Sequence, residues 1–468
     1  MPHPTLDLTV FAARRALLLQ RVDGPIILLG NGERARNLPM NKVRFRQDST
    51  FLYFTGCDLP NATAVLERGR FVLYLPVPAD DDALWHGHVD TADDLCARFG
   101  ADEVRPASAA ATELEGRTAR ILAVGDEGRN LEGSTWTGHE LQFGVSHGDT
   151  DLMDAVIAMR LVKSDIELQA MRAAAAHSAA AHRAVMAATR AGVHERVLAA
   201  LFEGVLAARG CTTGYGTILT QSGEVLHNFH HDEVLADGRL LLVDGGGELP
   251  SGYGADITRT WPVSGTFDGR QRAAYDAVLE SQLKAIAVCR PGVRNRVVHD
   301  TASLVLARFM ADEGLLRVSP ETAVEVGAHA LFFPHGVGHH LGMDVHDLEN
   351  FGDRSSYPPD RGRPEQFGTC YLRMDLPLEE RWVITVEPGF YAVPAILHDA
   401  TLRERFSTAV DFEAAEKWLG FGGIRIEDDV VIGPEEPEIL SAAVPKTAPE
   451  LERVVGSGDD VNAALHVA

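Results

Sequence analysis

Apolar residues recur along this chain at two spacings, and the switch between them marks out its elements. Over residues 1–150, short apolar runs (GPIILLG at 24–30, FVLYLP at 71–76, RILAVGDE at 120–127) alternate with helical stretches, the pattern of an α/β domain. The segment FRQDSTFLYF at 45–54 mixes aromatic and polar residues and reads as a strand and turn packed on the core. A boundary falls near 145–163, where the loop VSHGDTD gives way to a long helical pattern. Ser164 and Glu167 stand three apart, as a capping box requires, and the alanine-rich run after them predicts a helix with a glycine stop at Gly192. Further helices are predicted over 194–209, 269–289 and 297–313. Between the first and second of these the spacing becomes that of strands, in ILT, LLLVDGG and ADITRTWPV.

At 468 residues with 45% hydrophobic content, the chain exceeds one ordinary core, so two domains are expected. The formal net charge of −24 argues against a nucleic-acid partner, because such a binder presents a basic patch that neutralises phosphates. The five cysteines, Cys57, Cys96, Cys211, Cys289 and Cys370, are odd in number and widely spaced, and read as reduced thiols. Apolar patches at 16–19 and 26–29 are separated by Arg21 and Asp23 with no cleavage-site pattern after them. No apolar run approaches the ~20 residues that span a bilayer as a helix. A cytoplasmic protein without a membrane partner is the expectation.

The chemistry concentrates in the second half. In LLLVDGGGELPSGYGADITRT, 240–260, an apolar strand delivers Asp244, a glycine-rich turn reverses the chain, and a second strand is expected to bring Asp256 and Thr258 to one face. Alone, these acids read equally as turn aspartates. The order strand, glycines, helix of a phosphate cradle is missing. In FFPHGVGHHLGMDVHD, 332–347, a glycine-rich loop gathers His335, His339, His340 and His346, a density that points to a metal or proton-transfer site. The helix-borne HExxH pattern is absent. Glu387 ends the strand WVITVE, and Glu427 lies in GGIRIEDDVVI with Arg425 on the same face. Each alone reads as an edge-strand acid, but together they place an acid at the inner end of four strands beside a histidine loop.

Four carboxylates in one partly desolvated pocket cannot all stay ionised unaided, because like charges raise one another's pKa. Cations are therefore required. Two divalent ions would offset the four charges, and oxygen ligands with one imidazole suit Mn²⁺, Co²⁺ or Zn²⁺. Paired ions ~3.5–4 Å apart hold a bridging hydroxide and polarise a carbonyl, which is hydrolytic chemistry.

These motifs resemble those of the proline-specific peptidases with the pita-bread fold, the family of aminopeptidase P and prolidase (Xaa-Pro dipeptidase). The resemblance covers nearly the whole chain. FRQDSTFLYFTG is similar to a recurring segment of the family's creatinase-like domain, and DGGGE with ADITRT, HGVGHHLGMDVHD, TVEPGFY and GIRIEDD are family motifs in family order. The resemblance implies an α+β chain with a creatinase-like α/β domain over 1–155, a pita-bread catalytic domain over 156–448 and a tail over 449–468. It implies the metal ligands Asp244, Asp256, His339, Glu387 and Glu427, with Asp256 and Glu427 bridging two divalent ions, Mn²⁺ first and Zn²⁺ or Co²⁺ as alternatives.

Glu387 would also act as general acid/base. His227, in VLHNFH, would contact the substrate or stabilise the tetrahedral intermediate, and His335 and His346 would line the proline pocket and the scissile carbonyl. Arg425 matches an arginine beside the last ligand, and Arg373, in YLRMD, one that holds the substrate's carboxylate through paired charge-assisted hydrogen bonds. The implied reaction is hydrolysis of the Xaa-Pro bond at the N-terminus of dipeptides or short peptides, with a metal-bridging hydroxide as nucleophile. Implied partners are short proline-containing peptides and, by family likeness, a second copy of the chain.

The stretch between Glu387 and Glu427 is longer than in aminopeptidase P and resembles the prolidase branch, which favours dipeptides. Asp244 to Asp256 spans one residue more than the family spacing, so an insertion or bulge is expected there. His340 stands where the family often carries a bulky or aromatic residue, and its protonation is expected to tune the site. The competing readings are a related hydrolase acting on another bond, such as a phosphotriester, and a metal-free binding protein, the latter disfavoured by five intact ligands.

Overall fold

The computed structural model describes residues 7–79 and 81–458, in two units. Among these residues, one comprises 7–160 with Asn350–Gly352, and the other Leu161–Glu349 with 353–458.

The first unit is built on a five-stranded mixed sheet. Its order is Glu103–Pro106, Arg70–Leu75, Thr63–Glu67, Ile26–Leu29, Arg120–Ile121. Ile26–Leu29 is buried at every position, as an unbroken apolar run in a central strand should be. It pairs antiparallel with Thr63–Glu67 and parallel with Arg120–Ile121. Ile27, Leu29, Val65, Val72, Ile121 and Trp136 meet in its core. The RILAVGDE run yields only a two-residue strand, because Asp126 already caps the helix Glu127–Thr137 through Gly128 N and Arg129 N. The segment at 45–54 departs from expectation: Ser49–Thr55 is a helix, not a strand. Its buried aromatics favour a strand by propensity, but Asp48 accepts from Phe51 N at 2.8 Å and Gly56 stops the helix in the left-handed region.

In the second unit the capping box at Ser164 and Glu167 forms and starts the helix Asp165–Ala188. That helix ends four residues before Gly192. The helices Glu195–Ala208, Gly269–Ala287 and Asn295–Asp312 follow within a residue or two of expectation. Asp165–Ala188 packs with Glu195–Ala208, and Gly269–Ala287 with Asn295–Asp312. Leu240–Asp244 is the centre of a three-stranded antiparallel sheet between Ile218–Thr220 and Thr258–Pro262, with Asp244 opposite Thr258. Val383–Val386 pairs antiparallel with Asp428–Val431, and Gly389–Tyr391 with Gly423–Arg425.

Asp256 thus precedes its strand instead of lying in it, and Glu427 sits in the break between two strands. The turn from Asp244 to Asp256 is an excursion in which Gly247–Glu248 pairs with Thr212–Thr213. Gly246 lets it close, since a Cβ there would lie 1.6 Å from Ala255 O. No helix among the described residues is long and apolar enough to cross a membrane.

Candidate metal centre

The histidine loop runs along the strand Val383–Val386 as an added strand. Leu341 N donates to Val383 O, Thr385 N to His339 O, and Glu387 N to Val337 O. Gly338 permits this approach, because a Cβ there would lie 1.9 Å from Thr385 O. His339 and Glu387 are therefore side by side: His339 Nε2 lies 3.7 Å from Glu387 Oε1 and 3.4 Å from Asp256 Oδ2. Asp256, His339 and Glu427, all buried, offer one ligand atom each within 4.8 Å of one another. Asp244 joins them through Tyr215, whose hydroxyl lies 2.5 Å from Oδ1 of both Asp244 and Asp256. All five residues expected as ligands fall in this one cluster.

The backbone around the acids is pinned. Glu427 N donates to Thr258 O at 3.0 Å and Glu427 O accepts from Arg259 Nη1 at 2.6 Å. The Thr258 hydroxyl donates to Glu427 Oε2 at 2.6 Å, and the Asp256 amide donates to the Asp429 carboxylate at 3.1 Å. Arg425 Nη2 donates to Asp244 Oδ2 at 2.6 Å.

The donor set fits divalent cations. His339 Nδ1 lies 3.0 Å from His340 O. A carbonyl only accepts, so Nδ1 carries the proton and the Nε2 lone pair is left among the acids. Tyr215 has one hydroxyl proton for two carboxylate oxygens, and the second short contact needs a further proton or a cation. Four carboxylates face one buried guanidinium, Arg425, and imidazoles that are neutral. Burial raises Glu427 well above its ordinary value, reinforced by Asp256 and Glu387. Burial likewise raises Asp244, against the pull of Arg425, and Asp256, and pushes Glu387 up to about 8. It drives His339 down to about 4. The cluster has more acceptors than the chain supplies donors, which is the signature of an oxygen-rich cation site.

Further side chains surround the acids. His335 Nδ1 donates to Gly336 O at 2.8 Å, which leaves Nε2 to accept from the Tyr391 hydroxyl at 2.9 Å. Tyr391 in turn accepts from Arg425 Nη1 at 3.2 Å. The His346 ring stands edge-on to His339, 4.5 Å between centroids. Burial pushes both His335 and His346 down to about 3, with Arg425 adding to the effect on the first and His339 on the second. His227, on an exposed loop and stacked with Phe229, is lowered by partial burial and by Arg425. Arg373 acts on all four of these histidines, and its Nη1 donates to Glu349 Oε2 at 2.6 Å. His340 turns its ring against Trp382, 5.1 Å between centroids. Burial and Lys163 push it down to about 3, so it stays neutral at ordinary pH and the expected tuning by its protonation does not arise.

Sequence reasoning passed over Tyr215, Tyr391, Asp429 and Glu349. For Tyr215 the available signal was an aromatic residue between two glycines in TTGYGT, next to acid-bearing strands. For Asp429 it was the acid run in IEDD, whose members diverge: Glu427 to the cluster, Asp428 to Arg259 at 2.7 Å, and Asp429 to the Asp256 amide.

Comparisons with known proteins show the family. A model of the family described as Metallopeptidase family M24 matches residues 169–434, and one described as Aminopeptidase P, N-terminal domain, matches residues 11–121. The chain is 30% identical to human Xaa-Pro dipeptidase, over 97% of its own length and 94% of that protein's. It is 33% identical to a probable Xaa-Pro aminopeptidase of Pyricularia oryzae, over 95% and 96%. Among solved structures, an aminopeptidase of Pseudomonas aeruginosa superposes with a TM-score of 0.79 at 29% identity, covering 96% of this chain and 98% of that one. Zinc-substituted Escherichia coli aminopeptidase P in complex with product superposes with a TM-score of 0.78 at 28% identity, over 96% and 98%.

Proposed function

The chain belongs to metallopeptidase family M24, and on that premise we propose that Asp244, Asp256, His339, Glu387 and Glu427 hold two divalent ions that serve cleavage before proline. It is an enzyme, an Xaa-Pro exopeptidase with an aminopeptidase P-type N-terminal domain ahead of a pita-bread catalytic domain. The observation that carries the ligand assignment is the buried group of Asp256, His339 and Glu427, joined by Asp244 and the half-buried Glu387, with the Arg425 guanidinium beside it.

Asp256 and Glu427, which with His339 offer ligand atoms within 4.8 Å of one another, would be shared by the two ions. Mn²⁺ is the first choice and Zn²⁺ or Co²⁺ the alternatives. When bound, the ions supply Lewis acidity that activates water and polarises the scissile carbonyl. The remaining work falls to side chains. Glu387, 3.7 Å from His339 Nε2, would take the proton released by the attacking water and pass it to the departing proline nitrogen. His335 and His346, kept neutral by burial, line the proline ring and the scissile carbonyl without adding charge. His227, exposed and stacked with Phe229, would contact the substrate. Arg425 braces Asp244 and Tyr391, and Arg373 presents a guanidinium edge to the substrate's terminal carboxylate.

Incubating the Mn²⁺-loaded enzyme with Ala-Pro, Ala-Pro-Ala and Ala-Ala tests the reading. Cleavage before proline in at least one of the first two is expected, and cleavage of neither contradicts it. The ratio of the two rates separates a dipeptidase from an aminopeptidase.

A further inference from the structure

Arg373 does not stand alone. Its Nη1 donates to Glu349 Oε2 at 2.6 Å, and both side chains are partly exposed, 33% and 25%. The backbone of Arg373 packs on the histidine loop, where a Cβ on Gly336 would lie 3.4 Å from Arg373 N, and Glu349 follows His346 by three residues, so the pair borders the proposed active site. Glu349 is held there by its backbone. Leu348, fully buried, has φ of 66°, a left-handed conformation that branched side chains rarely adopt. Ser355 Oγ donates to Leu348 O at 3.1 Å, and Glu349 N donates to His346 O at 3.3 Å. A turn strained in this way directs the Glu349 side chain to one place.

A free guanidinium fork would capture a carboxylate strongly. Here Nη1 is taken by the Glu349 carboxylate, whose Oε1 is buried without a hydrogen-bond partner, so an arriving carboxylate meets a like charge at the guanidinium, which costs affinity. An Xaa-Pro dipeptide brings its terminal carboxylate directly after proline, whereas a longer peptide brings a neutral amide to the same place. We propose that Glu349 is a specificity-determining residue: paired with Arg373, it weakens capture of dipeptides and shifts preference toward longer Xaa-Pro peptides. This inference rests on the Xaa-Pro reading above.

The test compares kcat/KM for Ala-Pro and Ala-Pro amide in the Mn²⁺-loaded full chain, as wild type, Glu349→Gln and Glu349→Ala. The ratio of acid to amide is expected to rise about tenfold in both variants, through a lower KM for Ala-Pro, and the gain to shrink in high salt. A ratio that stays level or falls, as it would if Glu349 merely oriented Arg373 for the carboxylate, overturns the inference and leaves the Xaa-Pro reading intact. A wild type that cleaves neither substrate overturns both.

Discussion

Glu427 and Asp428 are adjacent in sequence and equally buried, yet they sit in opposite electrostatic surroundings. Burial alone would raise Asp428, but Arg259 at 2.7 Å and Lys446 at 2.6 Å hold it well below the usual carboxylate range, with Gln282 and Ser441 completing its hydrogen bonds. Among the described residues Glu427 has the Thr258 hydroxyl and a share of Arg425, and it faces Asp256 and Glu387. The chain balances the first cluster with its own cations and leaves the second short of them, so that its acids hold protons more tightly than usual. Balance of this kind fixes structure, tying Asp428–Val431 to the segment around Lys446. Imbalance of this kind calls for an external cation, and a fold that keeps such a cluster stores the free energy of metal binding in its place.

The largest effect that bears on this contrast is catalytic. Glu387→Ala is expected to lower kcat on the order of 10³-fold while circular dichroism stays native, and a wild-type rate would remove its role. Asp428→Ala should instead act on folding. It leaves Arg259 buried without its anion and is expected to cost about 3–5 kcal/mol in urea unfolding, so a loss below about 1 kcal/mol would erase the distinction between the clusters. Tyr215→Phe keeps the ring but removes the hydroxyl shared by Asp244 and Asp256. Activity at subsaturating metal should fall about 10–100-fold with little change in melting temperature.

The smallest effect is a dependence on pH. In the metal-free protein Glu387 titrates at about 8, above its ordinary value of 4.5, so its contribution to stability is present below the ordinary value and lost as pH rises through 8. His339, lowered from 6.5 to about 4, contributes above its ordinary value and is lost as pH falls toward 4. Bound cations remove the first loss and compete with protons for His339. The melting-temperature gap between metal-loaded and chelator-treated enzyme should therefore widen from about pH 5 to about pH 8. A gap that narrows over this range would contradict the sign.

The sequence carried the positions of the acids because each stands beside a backbone peculiarity that leaves a mark in one dimension. Asp244 precedes glycines, Glu387 precedes Pro388-Gly389, and His339 lies between glycines, so strand ends and close approaches were visible before any coordinates. Long helices were legible for a similar reason, since a capping box and a 3.6-residue repeat are local. Contacts that depend on distance were not. Tyr215 matters through residues 29 and 41 positions away, and Glu349 through one 24 positions away, with no local pattern to announce either. The helix Ser49–Thr55 was hidden by its aromatics, whose burial preference fits strand and helix alike in seven residues. The longer stretch before Glu427 pointed to dipeptides, whereas the ion pair at Arg373 points the other way, a conflict that loop length alone could not expose.

Counting the ions that the chain retains tests the central contrast most directly. After Mn²⁺ saturation and removal of free metal, elemental analysis should find two ions per wild-type chain and fewer than one in Glu427→Ala, with both proteins folded. A wild type that retains none, or a variant that retains as many as the wild type, would contradict the claim that this unbalanced cluster is a metal centre.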